Sequence, residues 1–98
     1  LFGRSRLEGV IIHKTDIDSI LEKNAKRWKL RRMAGVDRNI LRIGVFELCY
    51  CPDIPPRVAI NEAVELAKEF GSEESPAFIN GILDAVLKDR NRDHDITI

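Results

Sequence analysis

Between Val36 and Leu87 the apolar residues recur at steps of three and four, and breaks bearing proline or glycine cut that pattern into three pieces. Such spacing lays one hydrophobic stripe along a helix and does not fit the two-residue alternation of a half-buried strand. The first piece covers about Val36 to Tyr50, with Ile40, Leu41, Gly44, Val45 and Leu48 as its core stripe. Asp37 falls near its start, where a carboxylate meets the positive helix end. Pro52-Asp53-Ile54-Pro55-Pro56 ends it, because proline lacks an amide donor and disfavours helical geometry in the residue before it. Pro56 suits the first turn of a second piece reaching Phe70, predicted to turn Ala59, Ala63, Leu66, Ala67 and Phe70 inward, with Gly71 as its cap. Ser75-Pro76 reads as N-cap and first-turn proline of the last helix, whose stripe is Phe78, Ile79, Ile82, Leu83, Val86 and Leu87. After Lys88 the apolar content falls and the tail is expected to fray.

Upstream, Leu7, Val10, Ile11, Ile17, Ile20 and Leu21 follow the same helical spacing from about Phe2 to Asn24. Thr15-Asp16-Ile17-Asp18 looks like a capping signal, so this stretch is either one helix or two broken near Lys14. The connector Lys26-Arg27-Trp28-Lys29-Leu30-Arg31-Arg32-Met33 is basic, and its Trp28, Leu30 and Met33 are expected to plug the core while the charges stay in water. With no strand-like segment, the chain reads as all-α, short helices joined by tight loops in an antiparallel bundle. Gly44 and Gly81 each cost about 1 kcal/mol relative to alanine inside a helix, which suggests close helix approach at both. Asn61 and Asn80, beside apolar residues, are expected to hydrogen-bond across helix contacts, and Arg42 and Glu47 to form a partly buried pair.

The residues offer little chemistry. Cys49-Tyr50-Cys51 lacks the spacing of zinc and redox sites, His13 and His94 stand apart, and neither a Gly-rich phosphate loop nor a nucleophile elbow nor H-E-x-x-H occurs. This argues against an enzyme, a metal site or a cofactor. Apolar runs fall short of the ~20 residues that cross a bilayer, no signal-peptide pattern opens the chain, and two cysteines make no disulfide framework. The expectation is a cytoplasmic protein without a membrane. A net charge of zero hides an uneven spread: residues 1–42 hold eleven Lys/Arg against five Asp/Glu, and residues 43–98 five against eleven. A basic half can attract phosphates and an acidic half a basic protein, or the two can solvate different faces or pair with each other.

One combination is specific. Asp37-Arg38-Asn39-Ile40-Leu41-Arg42, Asp53-Ile54-Pro55, Ile60-Asn61-Glu62-Ala63, Ala67-Lys68 and Phe78-Ile79-Asn80-Gly81 come in an order and spacing that resembles the NusB family of RNA-binding antitermination factors, over roughly Leu7 to Lys88. The resemblance implies an all-helical fold of two paired three-helix bundles. It also implies binding to the boxA element of nascent RNA, docking of the ribosomal protein NusE, and a place in the RNA polymerase antitermination complex that transcribes ribosomal RNA operons. The family's arginine-rich N-terminal helix has no counterpart here, and the chain opens at Leu1 without methionine. Residues 1–24 are therefore expected to be a remnant helix of an incomplete first bundle, exposing Leu7, Val10, Ile11 and Ile17. Residues 25–90 would form the C-terminal bundle, and 91–98 the frayed tail.

Single-stranded RNA is commonly read by stacking splayed bases on aromatic or arginine planes while basic groups follow the phosphates. The resemblance places the start of the last helix near the RNA, so the candidates are Arg31, Arg32, Glu74, Ser75 and Phe78. Phe78 fits the core stripe equally well. Asp37 is the candidate for contact with NusE, since an acidic group there could meet a basic ribosomal protein. Two alternatives follow from the same residues: the RNA-binding domain of a ribosomal RNA cytosine methyltransferase, or a protein-interaction module without RNA affinity.

Overall fold

Proline and glycine mark the breaks between the last three helices in the structure, a computed structural model that describes residues 8–25 and 35–96, with side chains through Asn91. The helices are α1 (Lys14–Asn24), α2 (Gly35–Tyr50), α3 (Pro56–Phe70) and α4 (Ser75–Ile96). Residues 8–12 are also helical and lead into α1 through a bend at His13, where φ is −101° and ψ 14°. The His13 amide still donates to the Gly9 carbonyl at 3.0 Å, and its own carbonyl accepts from Ile17 at 2.9 Å, so the chain bends without parting. The break near Lys14 is thus the alternative that this chain adopts.

Between α2 and α3 the Ile54 amide donates to the Cys51 carbonyl, and the Pro55 carbonyl accepts from Val58 and Ala59, which starts α3 on Pro56. At the other end of α3 the Gly71 amide donates to the Ala67 carbonyl at 2.9 Å, but Gly71 is extended, not left-handed (φ −95°, ψ −170°). Its glycine answers to space. A Cβ there would lie 2.6 Å from both Cβ and Oγ of Ser75 and 2.8 Å from the Ala67 carbonyl oxygen.

Helices α2, α3 and α4 pack on one another as an antiparallel bundle, and α1 lies against α2 and α4. Each helix contributes to one core: Ile17 and Leu21, then Leu41, Val45 and Leu48, then Ala59, Ile60, Ala63 and Ala67, then Ile79, Ile82, Leu83 and Val86. Small residues on α3 let its neighbours approach, and Gly44 does the same for α2, since a Cβ there would sit 2.7 Å from Leu83 Cδ1. Arg42 ties α2 to α1 with a two-pronged bond, Nε to Asp18 Oδ1 at 2.8 Å and Nη2 to Oδ2 at 3.1 Å.

Several expectations are corrected. Arg42 pairs with Asp18 and not with Glu47, although Glu47 is buried. Asn61, Asn80 and Gly81 are exposed, because the buried positions 59, 60, 63 and 67 of α3 and 79, 82, 83 and 86 of α4 turn these three outward. Phe70, the last residue of α3, is 61% exposed. Of the apolar residues expected to lie open, Val10 and Ile17 are buried while Ile11 is exposed, as is Ile12. The boundary expected after Lys88 falls inside α4, which continues to Ile96. Two contacts hold that stretch: the Arg90 guanidinium donates to the Leu48 carbonyl in the last turn of α2, and Asp89 pairs with Lys23 at 3.1 Å. Leu7, Trp28, Leu30 and Met33 lie outside the described residues.

Candidate nucleic-acid interface

Helix α4 begins where three side chains meet. The Glu74 carbonyl accepts the first helical bond, from the Phe78 amide at 3.2 Å, so Glu74 holds the cap position and Ser75 is the first helical residue, with Pro76 after it. Ser75 is only 1% exposed, and its hydroxyl does not cap its own helix. It donates to Asp37 Oδ2 at 3.0 Å and accepts from the Ser72 amide at 2.9 Å. The Ser72 hydroxyl lies 3.1 Å away. A hydroxyl has one proton and two lone pairs, and with the proton given to the carboxylate, Ser72 must be the donor in that last contact. The turn between them closes through the Ser75 amide on the Ser72 carbonyl at 3.1 Å.

This arrangement sorts the candidates predicted from sequence. Glu74 is exposed, as is Glu73. Phe78 is half-buried and packed against the core, so it serves the stripe. Ser75 is buried. Asp37, expected as an acidic surface group, is 8% exposed and faces Ser75, while its neighbours Val36 and Asn39 are open to solvent. The structure thus joins Asp37 to Ser75 across 38 residues of sequence. Arg31 and Arg32 lie outside the described residues.

A second cluster went unread in the sequence. The His13 ring stacks on Tyr50 with centroids 4.0 Å apart and an interplanar angle of 16°, and Phe46 lies 5.7 Å from Tyr50. Nothing local marks it: the bend at His13 and the last turn of α2 are brought together only by packing. Nearby, burial pushes the Cys49 thiol above its usual 9.0, partly offset by the Arg90 guanidinium. Among the described residues no three His, Cys, Asp or Glu side chains group as metal ligands, and no helix is long and apolar enough to cross a membrane.

The NusB family model matches residues 2–88. The chain is 54% identical over 91 residues to the transcription antitermination protein NusB of Myxococcus xanthus, covering 93% of this chain and 65% of that protein. It is 53% identical to that of Desulfitobacterium hafniense, covering 93% and 62%. A solved structure of T. maritima NusB superposes with a TM-score of 0.82 at 41% identity, covering 88% of this chain and 61% of that one. The chain therefore spans less than two thirds of the length of these relatives.

Proposed function

The chain belongs to the NusB family, and from this we propose that it serves transcription antitermination in the cytoplasm, binding boxA RNA together with the ribosomal protein NusE within the RNA polymerase antitermination complex. The observation that carries the reading is the start of α4, where exposed Glu74 and half-buried Phe78, four residues apart, are neighbours at the positive end of the helix. A positive helix end favours phosphate, and a partly exposed aromatic ring can take a splayed base. The basic connector with Arg31 and Arg32 supplies the cations that follow an RNA backbone. Contact with NusE falls to the exposed residues beside Asp37, namely Val36 and Asn39.

Glu74 opposes phosphate at this helix end, and its removal gives the test. Glu74→Gln should tighten boxA RNA binding about 2- to 5-fold at low salt, and the gain should shrink as salt rises and screens the lost repulsion. Titrating boxA RNA with and without NusE at two salt concentrations measures this. Equal affinities of the two proteins at both salts would remove the start of α4 from the RNA path. Capture of NusE without RNA affinity would leave the protein-interaction module as the function.

A further inference from the structure

We infer that the Asp37–Ser75 hydrogen bond positions the RNA face, and that Asp37 acts on RNA through Ser75 and the 71–74 turn without touching RNA itself. This rests on the RNA reading above. Neither side chain can meet a ligand directly, since Asp37 is 8% and Ser75 1% exposed. What they do is join two starts. Asp37 sits in the first turn of α2, two residues past Gly35, and Ser75 opens α4 beside Glu74. Their bond at 3.0 Å holds these two ends together.

The Ser75 hydroxyl is spent in full. Its proton goes to Asp37 Oδ2, and its lone pairs take the Ser72 amide at 2.9 Å and the Ser72 hydroxyl at 3.1 Å. Both flanks of the segment bearing Glu73 and Glu74 are thereby fixed to one oxygen, and that oxygen is fixed to α2. The other oxygen of the carboxylate, Asp37 Oδ1, is buried with no hydrogen-bond partner among the described residues. An incompletely satisfied buried carboxylate is a poor device for stability alone. It is also unhelpful as a charge, because a negative group under a phosphate-binding surface repels the ligand. Geometry is the remaining use: a charge-assisted bond holds Ser75 more firmly than a neutral one does.

Charge and geometry predict opposite signs, and this makes the inference testable in the full chain with boxA RNA and NusE. If Asp37 matters by charge, Asp37→Ala tightens RNA binding. If it positions, Asp37→Ala and Ser75→Ala each weaken binding about 5- to 10-fold, and the double variant is no worse than the weaker single. Asp37→Asn, which keeps an acceptor for the Ser75 proton, should restore affinity to within about 2-fold of the unaltered chain. Ser72→Ala, at an exposed site, removes one contact to the Ser75 oxygen without emptying the core and should lose about 2-fold even where Asp37→Ala does not fold. Unchanged or tighter binding by Asp37→Ala, losses that multiply in the double variant, or full affinity in Ser72→Ala each overturn the inference. Absence of RNA binding by the unaltered chain overturns the RNA reading and this inference with it, whereas normal binding by all variants overturns this inference alone.

Discussion

Replacing Gly44 by alanine sets two effects of known size against each other. Alanine inside a helix gains about 1 kcal/mol over glycine. At Gly44 the new Cβ would stand 2.7 Å from Leu83 Cδ1 and 3.0 Å from Cδ2. Carbon atoms in good contact sit about 3.5–4.0 Å apart, so one neighbour must retreat by nearly a bond length. Leu83 is fully buried, with Ile79, Ile82 and Val86 of its own helix equally enclosed, and has no solvent side to move into. Overpacking of this kind costs about 1–3 kcal/mol. The net expectation for Gly44→Ala is a loss of about 1 kcal/mol, or about 4–8 °C in Tm for a domain of this size. Gly35→Ala is the control, because a Cβ there meets nothing within 4 Å and should be neutral or slightly stabilising. In a Leu83→Ala background, itself about 2–5 kcal/mol less stable, Gly44→Ala should change sign and stabilise, since its methyl enters the vacated space. Urea unfolding followed by far-UV circular dichroism reads all four variants. A Gly44→Ala chain as stable as Gly35→Ala, or no reversal of sign with Leu83→Ala, would refute the claim that this contact sets the spacing of α2 and α4.

Asp18→Asn should weaken the tie between α1 and α2 by about 1 kcal/mol in urea melts, since Arg42 is 18% exposed and Asp18 35%, enough to keep the pair from being fully screened. The loss should fall as salt is added; indifference to both the substitution and salt would make the pair incidental. For Cys49, a thiol raised above 9.0 by burial carries less thiolate at neutral pH than an open one. Alkylation at Cys49 should therefore be slower than that of a peptide thiol and should keep accelerating past the usual thiol range; equal rates at neutral pH, read by mass spectrometry of the labelled peptide, would contradict the burial.

Local rules read well wherever a helix is decided locally. The stripe Ile40, Leu41, Gly44, Val45 and Leu48 is buried as its spacing implied, and Pro56 opens α3. The misreadings share one cause, which is that neighbours in sequence say little about which helix lies opposite. Asn61 and Asn80 sit beside buried isoleucines and yet turn outward, because a step of one residue rotates a side chain by about 100° around the helix. Arg42 had Glu47 five residues away and instead found Asp18, 24 residues upstream. Ser75 looked like a cap from its place before Pro76, but its proton left the helix for Asp37. No pattern within a few residues could have announced that bond or the stacking of His13 on Tyr50.

Two carboxylates at the start of α4, Glu74 and Asp37, act on the proposed RNA site by different physics, and their removal should have opposite results. Glu74 is in water, unconstrained by the core, and works through a field that salt can screen. Asp37 is enclosed, and its field toward RNA is a smaller matter than the bond that places Ser75, which added salt does not screen away. Affinity at this helix start is then governed by two separable settings, a charge on the outside and a register on the inside. Both meet in the turn from Gly71 to Glu74, which has no room for a side chain at Gly71 because the Ser75 hydroxyl already occupies it. A side chain at position 71 should therefore disturb RNA binding through the register and leave its salt dependence as it was.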